Sequence, residues 1–166
     1  MNKIIDHLAL MIDGLLLKIK ARAMRSRLTM YPHIHRSVMF GSNTKLIGPL
    51  EFFFIGEGTY INDAILAANS QGKLTIGKNC SIGYRVSIKA VTHNVSNPCK
   101  NEQGDFNRIA KNITIGDSCW IGDNVFIREG VSIGNNVVIG ANAVVTKSFP
   151  NNVVIAGVPA IIIREK

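Results

Sequence analysis

From Ile76 onward, apolar residues recur at every sixth position of the chain. The lead positions of these hexads are Ile76, Ile82, Ile88, Ile115, Ile121, Ile127, Ile133, Ile139 and Val145. Gly follows six of the nine. The fifth positions are mostly small and apolar, namely Cys80, Val86, Thr92, Cys119, Val125, Val131, Val137, Ala143 and Phe149. A fixed short period of this kind indicates a solenoid, in which each repeat forms one side of a coil.

A six-residue unit has room for one short strand and one turn. The fifth residue of each hexad precedes the next lead residue by two positions, so both face the same interior. Gly and Asn between them suit the positive-φ backbone of tight corners. Three such sides close a triangular coil, whose turns stack by parallel strand pairing. The sequence therefore predicts an all-β solenoid.

The repeat defines the expected domain organisation. It is strong over residues 76–93 and 115–150, weaker back to about residue 54, and traceable to residue 40 through Phe40, Leu46 and Phe52. We expect an N-terminal helical lead (1–36), a β-helix (37–160) with an inserted loop (94–112), and a C-terminal tail (161–166). A long excursion from a rigid coil is where functional residues concentrate.

The N-terminal lead has a helical period. Ile4, Leu8, Met11, Leu15 and Ile19 fall on one face of a helix. Asp13 and Gly14 interrupt the apolar run, and the basic cluster follows it, which argues against a signal peptide or a membrane span. Two interpretations stay open. The helix packs on the body of the protein or on a second copy, or it lies on a membrane surface.

Composition and charge narrow the classes of partner. The chain has 166 residues, 46% hydrophobic and 7% aromatic, which suits one domain with an aliphatic core. Its net charge is +8, and residues 1–36 hold seven Lys or Arg against two Asp. An excess of basic residues favours an anionic partner. No RNA-binding motif or aromatic interleaving is present, so nucleic acid is not expected.

Cysteine and histidine do not predict a metal site or a disulfide framework. The three cysteines, Cys80, Cys99 and Cys119, form no CxxC pair, and a reducing compartment fits them best. Cys80 and Cys119 occupy inward positions and are expected to fill the core, whereas Cys99 lies in the loop. His33 and His35 have no nearby third ligand, so no metal is expected.

Five segments resemble the hexapeptide-repeat acyltransferases. They are IGEGTYIN (55–62), Thr92-His93 before the loop, ITIGDSCWIG (113–122), IGANAVVTK (139–147) and AGVPAIIIRE (156–165). The likeness is closest to galactoside, maltose and bacterial polysaccharide O-acetyltransferases. It implies a left-handed parallel β-helix, opposite to the usual crossover handedness, and acetyl-CoA as the acyl donor.

The resemblance implies that His93 is the general base. An imidazole that is uncharged near neutral pH can take the proton of a sugar hydroxyl as that oxygen attacks the thioester. Transfer is then direct, without a Ser or Cys nucleophile. Asn62 matches an acceptor-binding asparagine, although Asn is also common at corners. Trp120 matches an aromatic residue beside the base and the thioester arm, although it could equally be a surface aromatic at a subunit contact.

The resemblance also implies a coenzyme-binding set. Ala141 matches a position that offers its backbone amide, and Asp123 matches another position in the same groove. The remaining members are Thr146, Lys147, Pro159 and Arg164. Ile161 stands where the family often has Lys or Arg, which shifts the expected phosphate contact towards Arg164. A lysine such as Lys147 supplies a point charge for a phosphate.

The resemblance finally implies a cytoplasmic homotrimer that acetylates a saccharide, with a surface polysaccharide as the expected destination. Residues 1–27 add an expected peripheral contact with the membrane. An antibiotic or small-molecule acetyltransferase is one alternative, and a non-catalytic β-helix binding scaffold is another. Departures such as Asn94 after His93 bear on the acceptor and leave the acyl donor unaffected.

Overall fold

The computed structural model describes residues 2–28, 31–94, 96, 99 and 107–166, and its elements follow the expected order. One helix, α1 (Asn2–Leu28), precedes the strands, and a short 3-10 turn covers Leu50–Phe52. The strands are β1 (Met39–Phe40), β2 (Lys45–Ile47), β3 (Phe53–Ile55), β4 (Tyr60–Ile61), β5 (Ile65–Ala67), β6 (Leu74–Ile76), β7 (Ser81–Ile82), β8 (Ser87–Lys89), β9 (Val91–His93), β10 (Arg108–Ala110), β11 (Ile113–Ile115), β12 (Trp120–Ile121), β13 (Phe126–Ile127), β14 (Ser132–Ile133), β15 (Val138–Ile139), β16 (Val144–Val145), β17 (Val153–Gly157) and β18 (Ala160–Glu165). The expected all-β body with one N-terminal helix is confirmed.

Apart from the hairpin β9–β10 and strand β18, successive strands of the body go to three sheets in turn, and each pairs in parallel with the strand one turn away. Face 1 contains β3, β6, β11 and β14, and face 3 contains β2, β5, β8, β13 and β16. Face 2 contains β1, β4, β7, β12, β15, β17 and β18. The register joins like positions, as in Ile61–Ile82–Ile121–Ile139 across face 2. The result is a three-sided coil, and a residue's hexad position tells which corner or face it occupies.

The interior of the coil is built from the predicted columns. All nine lead residues are 0–2% exposed. Eight of the nine fifth positions are also buried, which confirms that the fifth residue and the next lead residue face the same interior. The exception is Thr92, which is half-exposed, because the chain has already left the coil at this point. Ala90, at 0% exposed, closes the core there.

The corners are held by polar side chains and unusual backbone. At the corner between faces 1 and 2, the φ angles are 54–59° for the non-glycine residues Asn79, Ser118, Asn136 and Asn152. Side-chain oxygens there accept backbone N–H groups of the neighbouring turn, as in Lys78 N–H to Asp117 Oδ1 at 2.7 Å. Asn and Asp tolerate this conformation better than other L-residues do. These corners therefore repeat at a fixed height along the coil.

The excursion from the coil begins earlier than residue 94. Strands β9 and β10 form an antiparallel hairpin, with His93 opposite Arg108 and Val91 opposite Ala110. The Lys111 N–H donates to the Ala90 carbonyl oxygen at 2.9 Å and closes the hairpin's base. The expected third side IKAVTH is thus only half correct. Ile88 is in the core, but the residues after Ala90 turn outward. Much of the expected loop, residues 95, 97, 98 and 100–106, lies outside the described residues.

The two ends of the coil differ from the expected boundaries. The coil begins at Ile34, which bridges to Ile55, and α1 ends before it at Leu28. The expected tail 161–166 forms most of β18, which pairs antiparallel with β17. Aliphatic residues 161–163 favour a strand, and β17 offers them an open edge.

Helix α1 exposes its apolar residues. Ile5, Leu8, Met11 and Leu15 are each 52–61% exposed, so the described part of the helix does not pack on the body of the same chain. Among the described residues, no helix has the length and hydrophobicity needed to cross a membrane. Packing against a second copy and contact with a membrane surface remain the two interpretations of this helix.

Candidate functional site

A pocket of about 390 Å³ lies at the corner between faces 3 and 1, beneath the hairpin. We call it the hairpin pocket. Its lining residues are Ile47, Gly48, Pro49, Ala67, Ala68, Asn69, Lys89, Val91, Thr92, His93 and Arg108. One wall belongs to the coil and the other to β9 and β10. A pocket with an apolar wall and a few converging polar groups is the usual form of a small-molecule site.

The coil wall is a column of residues in register. Ile47 pairs with Ala67, and Ala67 pairs with Lys89, so the three side chains follow one another up face 3. Gly48 lets the chain pass closely beside this wall. Its φ is +112°, and a Cβ there would come within 1.9 Å of the Ala68 carbonyl oxygen. The lower end of the pocket therefore depends on a glycine at this position.

His93 lies at the end of β9, where its exposed side chain lines the pocket. The neighbouring Asn94 N–H donates to the Asn107 carbonyl oxygen at 2.9 Å, which continues the hairpin beyond the last strand pair. The hairpin thus fixes the backbone on both sides of His93. A histidine held at the rim of a pocket is well placed to exchange a proton with a bound hydroxyl.

Asn62 and His93 are not brought together within one chain. Asn62 lies at the corner between faces 2 and 3, half-buried, and its backbone N–H donates to the Ile82 carbonyl oxygen at 2.9 Å. Strand β5 runs from that corner to the corner at which the pocket opens. The two side chains therefore flank face 3 from opposite edges.

Four of the coenzyme-related residues lie at the same two corners as Asn62 and His93. Asp123 and Ala141 lie at the corner of Asn62, one and two turns beyond Tyr84. Thr146 and Lys147 follow β16 at the corner of His93. Lys147 is two turns above β8, or about 10 Å along the coil at the usual strand spacing. Pro159 lies in the turn between β17 and β18, and exposed Arg164 is near the end of β18.

Asp123 has a structural contact that its sequence position did not reveal. Its Oδ1 accepts the backbone N–H of Tyr84 at 2.8 Å, as Asp63 Oδ1 accepts that of Asn43 at 3.0 Å. Ala141, at the equivalent position of the next turn, has no side-chain oxygen. Asp63 and Asp123 therefore cap two separate turns, while Tyr84 between them and the exposed Ala141 beyond them have no carboxylate.

Trp120 projects from face 2. It is 59% exposed and lies in register between Ser81 and Val138. Tyr60 and Met39 continue the same outward column, with exposed fractions of 38% and 53%. Trp120 is thus separated from the hairpin pocket of its own chain, and it forms part of an apolar stripe.

Comparison with known proteins identifies the family. The sequence model described as "Bacterial transferase hexapeptide (six repeats)" matches residues 112–147. A Dictyostelium discoideum protein described as a candidate acetyltransferase is 42% identical over 111 residues, which cover 67% of this chain and 56% of that protein. A galactoside acetyltransferase solved with coenzyme A is 30% identical, with a TM-score of 0.61 over 90% of this chain and 82% of its own.

This chain belongs to the hexapeptide-repeat acetyltransferases. A polysialic acid O-acetyltransferase of the same fold is 32% identical, with a TM-score of 0.62, and the match covers 78% of this chain and 61% of that one. The match with the Dictyostelium relative covers only 56% of the length of that relative.

Two of the three cysteines of this hexapeptide-repeat protein, Cys80 and Cys119, belong to the core, whereas Cys99 is exposed. The thiols of Cys80 and Cys119 are buried on successive turns and donate to the carbonyl oxygens of Gly116 and Gly134, each at 3.1 Å. The contact with Cys119, together with burial, raises the pKa of the Cys80 thiol. The contact with Cys80 lowers the pKa of Cys119 to about 7. Both thiols act as hydrogen-bond donors here, which fits their prediction as core residues.

Sequence reasoning missed Lys89 and Arg108 as site residues. Lys89 directly follows a lead residue, at a position that is Gly in six of the nine hexads. This departure from the pattern could have indicated a site residue. Arg108 could not be located, because its position depends on the hairpin. Among the described residues, no group of three His, Cys, Asp or Glu side chains is arranged to hold a metal ion.

Proposed function

We propose that this chain transfers an acetyl group from acetyl-CoA to a saccharide hydroxyl, with His93 as the general base. The observation that carries the proposal is the position of His93 at the rim of the hairpin pocket, in a chain of the hexapeptide-repeat family. A galactoside acetyltransferase bound to coenzyme A and a polysialic acid O-acetyltransferase are similar over most of the chain, which supports both the donor and the acceptor class.

The proposed reaction is a direct transfer. The imidazole of His93 takes the hydroxyl proton while that oxygen bonds to the acetyl carbonyl carbon. The tetrahedral oxyanion collapses, the carbon–sulfur bond breaks, and the leaving thiolate takes the proton back from His93. The products are the acetylated sugar and free coenzyme A. A positioned base of this kind contributes about 10²–10⁴-fold to the rate.

The coenzyme is proposed to lie along face 3 of the coil, between the two rows of matched residues. Lys147 supplies a cation two turns above the pocket, and its Nζ lies 5.7 Å from the Phe149 ring centroid. Ala141 offers a backbone amide at the opposite row, with Asp123 below it. Thr146, Pro159 and Arg164 complete the coenzyme end. Asn62 and Trp120 are proposed to contact the acceptor.

We further propose a left-handed coil and a homotrimer. The trimer is supported by two features of one chain. Asn62 and His93 lie at different corners, so a second chain is needed to complete the set. Face 2 also exposes the apolar stripe of Met39, Tyr60 and Trp120. Exposed apolar residues aligned on one sheet face are typical of a subunit contact, and in this column Ser81 lies between Tyr60 and Trp120.

The acceptor is proposed to belong to a surface polysaccharide assembled at the cytoplasmic face of the membrane. Helix α1 supports this location, because its exposed apolar residues are followed by Lys18 and Arg22 with exposed side chains, and by three further basic residues at 20, 25 and 27. Apolar and basic groups together favour an anionic lipid surface.

The decisive experiment compares His93→Ala with His33→Ala on a panel of saccharides. His33 is exposed on the first turn, with its ring 4.7 Å from that of Phe54, and serves as the matched histidine control. We expect His93→Ala to lower kcat by about 10²–10⁴-fold, while the Kd for coenzyme A, measured by calorimetry, stays within a factor of two or so. If His93→Ala retains more than about a third of the wild-type rate, then His93 is not the base.

A further inference from the structure

We propose that the acceptor saccharide carries a negative charge next to the hydroxyl that is acetylated, and that Lys89 and Arg108 bind this charge. The inference rests on the proposed function and names the substrate class of the same pocket. It starts from the charges on the pocket wall. Three of the lining residues, Lys89, His93 and Arg108, have basic side chains, and none of the lining residues is Asp or Glu.

Lys89 and Arg108 lack a carboxylate partner in the part of the chain that the structure describes. The ion pair present there joins Arg128 to Glu129 on another turn. Other basic side chains have polar partners, such as Arg85, whose Nε donates to Asn124 Oδ1 at 2.7 Å. Lys89 is half-buried all the same. A cationic side chain that lines an open pocket is well suited to bind an anion from outside.

The positions of the cations relate the bound charge to the reacting hydroxyl. Arg108 is directly opposite His93 in the β9–β10 register. Directly opposite residues of an antiparallel pair have Cβ atoms about 5 Å apart and project to the same side. An anion held by the guanidinium group of Arg108 is therefore within one sugar ring of a hydroxyl at His93.

The remaining wall suits the ring of such a sugar. Ile47, Ala67 and Val91 offer apolar surface, and Asn69 adds an amide near the corner. The C–H face of a pyranose packs on apolar side chains, while its acidic substituent points to the cations. The binding group is thus a carboxylate or phosphate on the sugar. Coenzyme phosphate is the competing source of the same chemistry, but its proposed contact, Lys147, is two turns away.

The test measures kcat/KM for pairs of oligosaccharides that differ only in charge. One pair contains a uronic acid and the same oligosaccharide with its carboxyl group reduced, and the other contains a phosphorylated sugar and its dephosphorylated form. We expect at least one acidic member to be preferred by about tenfold or more, the usual worth of a charge-assisted hydrogen bond. Lys89→Gln and Arg108→Gln should each bring this ratio towards one through the KM of the acceptor.

The control is Lys78→Gln, which removes an exposed cation at the corner between faces 1 and 2 and should keep the wild-type ratio. The proposal is overturned if both neutral members react as well as the acidic ones. It is equally overturned if the Lys89 and Arg108 variants raise the KM of acetyl-CoA instead, because the cations then bind coenzyme phosphate.

A binding experiment separates this inference from the proposed function. Calorimetry on the full chain without acetyl-CoA should detect the preferred acidic oligosaccharide, and Arg108→Gln should weaken its Kd. Binding of this kind without any acetylation would contradict the transferase and leave the anion site standing. Acetylation of neutral and acidic sugars at equal rates would contradict the anion site and leave the transferase standing.

Discussion

Asn136 illustrates what a single corner residue does in this coil. Its φ is +56°, its Nδ2 donates to Asn152 Oδ1 at 2.8 Å, and its Oδ1 accepts a hydrogen bond from Lys166 Nζ. Asn therefore fills two needs at once, because it tolerates the left-handed backbone and links neighbouring turns. A residue that meets only one of these needs should make the protein less stable.

We predict that Asn136→Val lowers the free energy of unfolding by about 2 kcal/mol. Left-handed backbone costs an ordinary L-residue about 1–2 kcal/mol, and the two side-chain hydrogen bonds are lost as well. Asn136→Gly is the matched control, since it loses the same bonds but keeps the backbone relaxed. Urea denaturation should give a clearly smaller loss for Gly. Equal losses would mean that the conformation contributes nothing.

Lys147 carries the prediction for the coenzyme end. Its exposed ammonium group is proposed to contact a coenzyme phosphate, and such a contact is screened by salt. Lys147→Gln should weaken the Kd for acetyl-CoA by about fivefold at low ionic strength, and by less at high ionic strength. Lys147→Arg should keep most of the affinity. A loss that is the same at every salt concentration would indicate a structural effect in place of a charge contact.

At the scale of elements, α1 is set apart from the coil. Eight aliphatic or Met side chains of this helix are each 47–71% exposed. A helix with this much exposed apolar surface needs a partner. Its downstream half is rich in Lys and Arg, which favours an anionic surface over an apolar face of a second chain.

We predict that the intact protein floats with anionic liposomes and not with neutral ones. Each basic group near an anionic surface contributes about 1 kcal/mol, and apolar side chains add to this. Deletion of residues 1–27 should abolish flotation. Leu8→Asp with Ile12→Asp should also do so while every basic residue is retained. If the full chain stays in solution at low salt, the helix binds another copy instead.

The buried positions of the strands were predictable from the sequence, whereas the point at which the chain leaves the coil was not. The hexad period located every lead residue, because a strand buries alternate side chains whatever its surroundings. The same period wrongly predicted that Thr92 faces inward. The segment IKAVTH fits the six-residue pattern even though the chain leaves the coil within it. Arg108 could not be assigned to the site, because its place opposite His93 depends on hairpin pairing across a long insertion.

On the scale of the whole molecule, one chain places Asn62 and His93 at different corners of the coil, which is the basis of the proposed trimer. Counting sides along the sequence already separates Asn62 from His93 by one face. What counting cannot supply is the surface of another chain that would complete the proposed site. Shape and charge at that contact belong to the folded surface, where Tyr60 and Trp120 line up only because β4, β7 and β12 share a register.

We predict a trimer of about three times 18.1 kDa in sedimentation velocity at micromolar concentration. Trp120→Glu should shift the mass towards one chain, because it introduces a charge into the apolar stripe of face 2, and a charge buried without a partner is strongly unfavourable. Tyr84→Glu is the control, since Tyr84 is 47% exposed at a corner outside the stripe. A wild-type mass near one chain would contradict the trimer.

The hairpin leaves the coil at Ala90 and returns beside it at Lys111, where a 2.9 Å hydrogen bond joins the two residues. The next turn therefore begins at the same height whatever the hairpin's length. In the proposed function, the contribution of the hairpin to acceptor choice is therefore separable from the architecture of the coil, whereas that of Lys89 is not. Exchange of the segment between these two residues would change the hairpin wall of the pocket without disturbing the Ile columns above and below. Transplanting that segment between related enzymes should carry acceptor preference with it.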